Sequence, residues 1–400
     1  MTAPDLSRDR TALIDDLRML LDESPESARA RERSLVERLQ EPPSAPIVLY
    51  GAGNLGRRTL RLLRTHRQDA AAFIDNDPAR WGTAVDGVPV LSVEDATSRF
   101  AADGLAIVTI WRAEGGHDFL LTRSDLHRRG WKRVESFIPL YWGLGDEALP
   151  YITIDAPTNV LKSRDDILEV ADLWGDDRSL REYVGQVRWR LTADFAALSA
   201  PEPDQYFAHG LVRATSAEVF VDCGAFTGDT LLDVRRRLRS WQAYYAFEPD
   251  PVSYPVLAAV VDSLPPDLAD RVHLRKAATS DHTGVARFSA TGLAGAGLSD
   301  AGDTVVECVS LDEVIDEPPT FVKMDIEGAE PAALRGATRS VQVGNPLLAV
   351  AAYHRQADLW ELAAQVHKMA PDHGLFLRPH VREGFDTILY AIPSARLALT

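Results

Sequence analysis

The sequence predicts an α/β protein with two mostly parallel sheets covered by helices, the larger one in the C-terminal half. Three observations predict it. Short apolar runs of strand length recur through residues 211–400, separated by stretches with helical spacing. A strand-like run, Ile47-Val-Leu-Tyr50, leads directly into Gly51-Ala-Gly53-Asn-Leu-Gly56 and a basic amphipathic stretch, the setting that gives such a glycine pattern its meaning. The 400 residues, 46% of them hydrophobic and 26% charged, suffice for two or three globular domains of ~100–200 residues each.

Residues 1–44 carry apolar positions at helical spacing, Leu13, Ile14, Leu17, Leu20 and Leu21, then Leu35, Val36 and Leu39. Two amphipathic helices are expected there, a scaffold or the contact of a homodimer. Glu41-Pro-Pro-Ser-Ala-Pro46 breaks the pattern as a linker. Residues 45–150 then read as a small Rossmann-like domain of the nucleotide-binding type, with strands at 47–50, 70–74, 88–91 and 105–110 and a helix at 57–67. Its candidate nucleotide site is Gly51, Gly53 and Gly56, with Asp75 about 20 residues on to meet a ribose. Occupation by a nucleotide, docking of an acceptor or partner, and a purely structural role all remain open for it.

Residues 151–210 form a helical connector with stripes at Ile167, Val170 and Leu173 and at Leu180, Tyr183, Val187 and Leu191, closed by Pro201 and Pro203. In residues 211–400 strands are expected at 219–223, 243–247, 272–274, 321–324, 347–350, 375–377 and 387–390, with helices such as 228–238 and 329–340 between them.

The net charge of −16 argues against nucleic acid or an anionic membrane as the main partner. The run Arg235, Arg236, Arg237 and Arg239 reads as a solvated helix face. Cys223 and Cys308 lie in strand-like contexts far apart and read as buried apolar residues, with no disulfide. The first residues lack the basic-then-apolar plan of a secretion signal, and no run of ~18 apolar residues occurs, so a soluble cytoplasmic protein is expected.

The chemistry concentrates at strand ends, where open α/β sheets bind ligands. In Asp222-Cys-Gly224-Ala225-Phe-Thr-Gly228-Asp229 the glycines allow close backbone approach, and the helix that follows offers free N–H groups to a carboxylate. Asp222 and Asp229 suit a cationic ligand. Glu248, with Pro249 beside it, ends the next strand, where a carboxylate can accept both hydroxyls of a ribose. Ala278 and Asp281, after the third strand, are candidate contacts for an adenine ring. Such a set fits S-adenosylmethionine, which carries a carboxylate, a sulfonium, a ribose and an adenine.

Phe321-Val-Lys323-Met-Asp325-Ile-Glu327-Gly-Ala-Glu330 gathers four charged side chains at an apolar strand end, a costly arrangement unless it opens into a cleft. Asp325 belongs to both the cofactor and the reacting centre. His354, after the strand at 347–350, is the first candidate for the base that takes a hydroxyl proton, with Asp325 the alternative and Lys323 in support. Glu327, Glu330 and His380 are candidates for contact with an acceptor or for supporting these groups. Asp325, Glu327 and His354 would alternatively hold a divalent metal, but their spacing matches no defined metal motif, so none is expected.

Phe220-Val-Asp-Cys-Gly-Ala-Phe-Thr-Gly-Asp, Phe247-Glu-Pro-Asp-Pro and Val322-Lys-Met-Asp-Ile-Glu-Gly-Ala-Glu, extended by Ala352-Tyr-His-Arg355 and Phe385-Asp-Thr-Ile-Leu-Tyr390, resemble the motifs of the FkbM family of S-adenosylmethionine-dependent methyltransferases. The resemblance covers roughly residues 200–395. It implies a class I methyltransferase sheet of seven strands, with Asp222, Gly224 and Glu248 binding the cofactor and Asp325 beside the reacting centre. It further implies O-methylation of a small-molecule acceptor, a hydroxyl of a sugar or of a polyketide or other natural product. The competing readings are an NAD-dependent oxidoreductase, or a nucleotide-sugar-binding module, using the N-terminal glycine loop.

Overall fold

The computed structural model describes residues 3–39, 41, 45–112, 117–290, 297–298 and 302–397. The chain divides into two compact units, one of residues 1–168, 181–200 and 381–385, the other of residues 169–180, 201–380 and 386–400.

The first unit begins with helices Ala3–Leu20 and Pro25–Leu39. Its sheet has strands β1 (Ile47–Tyr50), β2 (Ala72–Ile74), β3 (Ala84–Val85), β4 (Val88–Leu91), β5 (Leu105–Val108) and β6 (Arg133–Ser136), in the order β3-β4-β2-β1-β5-β6. All pairs are parallel except β3 with β4. Sequence reasoning missed β6, whose Arg-Val-Glu-Ser alternation lacks an apolar run.

The glycine loop follows β1 where the sheet order reverses. Gly51 has a φ of +119°, and a Cβ on Gly56 would lie 1.9 Å from the Gly51 carbonyl oxygen. Gly56 is therefore explained by the close packing of helix Asn54–Thr65 on its own loop, and of the three glycines only Gly53 faces open space.

The second unit is built on β7 (Val219–Cys223), β8 (Ala243–Phe247), β9 (Val272–Arg275), β10 (Ala277–Thr279), β11 (Gly284–Ser289), β12 (Gly297–Leu298), β13 (Thr304–Val309), β14 (Phe321–Met324), β15 (Leu347–Ala351), β16 (His373–Pro379) and β17 (Thr387–Pro393). Seven of them form one sheet in the order β16-β17-β15-β14-β7-β8-β9. Only β17 runs against its neighbours. Every residue of β7, β14, β15 and β17 is buried, as expected for strands covered on both faces. This is the mixed α/β sheet expected from the apolar runs.

The remaining four strands make a small sheet, β10-β13-β11-β12, which the sequence did not announce. Its longer strands alternate exposed and covered residues, so no continuous apolar run marks them. The helix expected at 329–340 is two helices, Glu330–Arg335 and Thr338–Gly344. Between them Gly336 packs so closely on the Ser280 carbonyl oxygen that a Cβ would stand 2.0 Å from it, a backbone approach only glycine permits. Cys223 and Cys308 are both buried free thiols. No helix among the described residues is long and apolar enough to cross a membrane.

Candidate active site

In the large sheet β7 lies between β8 and β14, and the order of strands turns at this point. The loops leaving the carboxyl ends of β7 and β14 meet there. Gly224 has a φ of +82°, and a Cβ on it would lie 2.0 Å from the carbonyl oxygen of Asp325. Its absent side chain is what lets the glycine loop cross the end of β14. The loop is tied down by Gly224 and Ala225, whose N–H groups both donate to the Phe247 carbonyl at 3.0 Å. It closes at Gly228, with a φ of +91°, before helix Asp229–Leu238.

Strand register explains the next contact. Lys323 on β14 pairs with Asp222 on β7, and its ammonium lies 3.0 Å from Asp222 Oδ1 while donating to the Gly224 carbonyl at 2.6 Å. Asp222 is fully buried and its Oδ2 accepts the Tyr244 hydroxyl at 2.6 Å. Asp222, expected to face a bound cation, thus has a cationic partner within the fold. Its charge is answered by Lys323 from the neighbouring strand, and it anchors the loop from below. Burial opposes the charge of Lys323, but Asp222, Asp325 and Asp229 outweigh it and hold the amine protonated above its ordinary range. Lys323 thus positions the loop and is no proton acceptor.

Glu248 ends β8 as a buried acid. Its Oε2 accepts the Phe226 N–H and its Oε1 the Asp250 N–H, each at 2.8 Å, which points the carboxylate at the glycine loop. Burial pushes its carboxyl up to about 7 against the pull of those two bonds. Pro249 is buried beside it. Asp229 lines a cavity of about 250 Å³ together with Tyr206, Thr230, Asp233 and Arg237.

The two candidate adenine contacts have neighbours of their own in the fold. Ala278 packs with Phe288 and Val306 inside the small sheet, because β10 pairs with β13. The carboxylate of Asp281 is taken by His282 at 2.8 Å and Arg335 at 2.9 Å, which hold it down at about 2.

At the end of β14 the acids converge on one histidine. His354 Nδ1 lies 2.8 Å from Glu330 Oε1, and Nε2 lies 3.3 Å from Asp325 Oδ1 and 3.6 Å from Glu327 Oε2. Glu330, fully buried, also accepts the Ile326 N–H at 2.9 Å. Its position in a helical first turn is thus secondary to its contact with His354. Glu327 adopts a φ of +56°, a left-handed conformation rare outside glycine and typical of functional sites when it recurs there.

Burial disfavours the His354 cation, but Glu330 and Asp325 outweigh burial and hold the ring protonated, well above the ordinary histidine range. Burial likewise raises Asp325, but His354, Lys323 and the Tyr206 hydroxyl hold its carboxyl well below the usual range. The Tyr206 hydroxyl donates to Asp325 Oδ2 at 2.6 Å and the Tyr353 hydroxyl to Oδ1 at 3.4 Å. Asp386, hydrogen-bonded to Tyr353, is pushed up to about 6, mainly by burial and the charge of Asp325.

Sequence reasoning singled out Asp325, Glu327, Glu330 and His354, and the fold brings all four together. It missed Tyr206, Tyr353 and Asp386. Tyr353 and Asp386 stand in quoted motifs, next to His354 and Phe385, and adjacency was their only signal. Tyr206 follows the proline pair with no periodicity to mark it. His380 stands apart from this cluster: its ring nitrogens are taken by the Glu202 carbonyl at 2.9 Å and the Tyr390 hydroxyl at 2.7 Å.

In the first unit Asp75 Oδ2 accepts the Ala52 N–H at 3.1 Å and pairs with Arg80 at 3.1 Å, while Oδ1 accepts the Asp77 N–H. The acid expected to meet a ribose is bonded to its own glycine loop.

Residues 222–376 match the family model of the methyltransferase FkbM domain. Among solved structures, a methyltransferase FkbM from Methylobacillus flagellatus KT is similar, with a TM-score of 0.75 and 23% identity over 96% of this chain and 99% of that one. A putative rRNA-methylase from Clostridium thermocellum matches with a TM-score of 0.28 and 12% identity over 46% of this chain and 89% of that one, too slight a likeness to argue from. No curated protein matches the chain.

Proposed function

From the match of residues 222–376 to the family model of the methyltransferase FkbM domain, we propose that the chain is an S-adenosylmethionine-dependent O-methyltransferase acting on a hydroxyl of a small molecule, a sugar or a natural product. The observation that carries this reading is the crossing of the two strand ends. Gly224 of the glycine loop packs directly on Asp325 of the acid cluster, so a ligand on the loop is beside groups that can receive a hydroxyl.

The residues present fit the cofactor. A glycine loop leads into a helix N-terminus for a carboxylate, and Glu248 aims a carboxylate at that loop for the hydroxyls of a ribose. Bound there, S-adenosylmethionine would supply a methyl carbon already activated by its sulfonium, which the acceptor oxygen gains as the S–C bond breaks and the hydroxyl proton leaves. The chain must align the acceptor and take that proton.

Asp325 is better exposed than His354, with 18% of its side chain accessible against 5%. The acceptor hydroxyl therefore meets Asp325 first; the carboxyl is held well below its usual range, but the oxygen turns strongly acidic as it gains the methyl, and its proton then passes to that carboxylate. His354, held as a cation behind it, fixes its orientation and balances its charge. This reverses the order expected from sequence, which put His354 first. The dehydrogenase and nucleotide-sugar readings have less support, because the family match spans residues 222–376 and not the N-terminal glycine loop.

The reading is tested by incubating the protein with methyl-labelled S-adenosylmethionine and a panel of hydroxylated sugars and macrolides. Label in an ether linkage is the expected outcome. Label recovered only on nitrogen or carbon would contradict transfer to oxygen.

A further inference from the structure

We propose that His354, Asp325 and Glu327 form a binding site for a divalent cation, oriented by Glu330. The site rests on geometry; its use in catalysis rests on the methyl-transfer reading. Asp325, Glu330 and His354 each offer a ligand atom, all within 4.8 Å of one another; Glu330 is bonded to Nδ1 of the ring, so the second carboxylate on the Nε2 side is that of Glu327. Around a cation with metal–donor bonds of about 2.1 Å, donors at octahedral to tetrahedral angles stand roughly 3.0–3.4 Å apart. The separations from His354 Nε2, 3.3 Å to Asp325 Oδ1 and 3.6 Å to Glu327 Oε2, are close to that spacing.

A second observation is independent of the cluster of acids. His354 Nε2 is buried and has no aligned hydrogen-bond partner, although two carboxylate oxygens face it, and Glu330 Oε2 is buried in the same condition. The other ring nitrogen is bonded to Glu330 Oε1 at 2.8 Å. A carboxylate on one nitrogen that turns the other toward a metal is the usual support of a histidine ligand, and a cation bound at Nε2 displaces the proton that the ring carries there without it. One imidazole with two carboxylates suits Mn²⁺ or Mg²⁺. The half-buried carboxylates of Asp325 and Glu327 leave the site approachable from outside, where an acceptor oxygen could complete the coordination. A hydroxyl bound to the cation is more acidic and gives its proton to the Asp325 carboxylate more readily, and the transfer itself is unchanged: the O–C bond forms and the S–C bond breaks.

The test is calorimetric titration of Mn²⁺ into EDTA-stripped protein, compared with Glu327→Gln and Asp325→Asn. Both variants are expected to fold, Glu327→Gln because the side chain is only partly buried and Asp325→Asn because it keeps an oxygen for the Tyr206 hydroxyl. One Mn²⁺ per chain, with affinity reduced at least about tenfold in both variants, is the expected result. Absence of Mn²⁺ binding, or binding unaltered in both variants, overturns the proposal. Binding of S-adenosylhomocysteine to the stripped protein is measured in parallel. If it persists while Mn²⁺ fails to bind, the cation site falls and the methyl-transfer reading stands; if it is lost in the presence and absence of Mn²⁺, the methyl-transfer reading falls instead.

Discussion

Asp325→Asn is expected to lower methyl transfer by roughly 10²–10⁴-fold, the usual worth of a positioned proton acceptor, while affinity for S-adenosylhomocysteine is unchanged. Two features of Asp325 separate these effects. What faces the glycine loop is its backbone carbonyl, packed against Gly224, and asparagine keeps it. What faces Tyr206, Tyr353 and His354 is its carboxylate. Asparagine retains an oxygen for the Tyr206 hydroxyl but loses the charge that takes a proton.

The comparison with His354→Ala sharpens the assignment. That variant is also expected to lose turnover, but it leaves Glu330 buried without its partner, which costs about 3–5 kcal/mol of stability. Steady-state kinetics with denaturant unfolding distinguishes the two, since Asp325→Asn should keep the fold. An Asp325→Asn enzyme with unchanged turnover would remove this residue from the reaction.

Gly224→Ala is expected to abolish cofactor binding and to destabilise the protein by about 4 kcal/mol or more, at the severe end of single substitutions. Two costs coincide at this position. A φ of +82° disfavours any side chain, and the added Cβ would stand 2.0 Å from the Asp325 carbonyl oxygen and 3.1 Å from Ile326 Cγ2. The carbonyl belongs to backbone anchored by the Asp325 N–H bond to the Cys223 carbonyl at 3.1 Å, so it cannot give way cheaply. The strand ends must part, and the loop loses the shape that faces Glu248. Thermal unfolding and S-adenosylhomocysteine titration of the variant check both effects; wild-type values in both would show that the loops do not cross in this way.

The large sheet was legible because its inner strands β7, β14, β15 and β17 are buried along their whole length and therefore read as apolar runs. Strands β7, β8 and β14 begin and end where those runs do. The small sheet was not legible, since β11 and β13 alternate exposed and covered positions without a matching polar–apolar alternation, Val285 and Val305 being exposed. The acid cluster announced itself as charge at the end of an apolar strand. The lysine partner of Asp222 was hidden for a physical reason: which side chain answers a buried acid depends on the register of neighbouring strands, here Lys323 beside Asp222. That register joins residues 101 positions apart and leaves no local trace. Tyr206 was invisible on the same ground, reaching Asp325 across 119 positions.

The most direct measurement is calorimetric titration of S-adenosylhomocysteine into the protein at pH 8 and pH 6. Glu248 receives ribose hydroxyls as an ionised carboxylate, and burial places its protonation at about 7. It is mostly ionised at pH 8 and mostly protonated at pH 6, so affinity falls as pH drops through 7. Micromolar binding at pH 8, weaker by about tenfold at pH 6, is the predicted result, and the pH dependence should flatten in Glu248→Gln. Absence of binding at both pH values, with NAD binding in its place, would contradict a methyl-donor site in this domain.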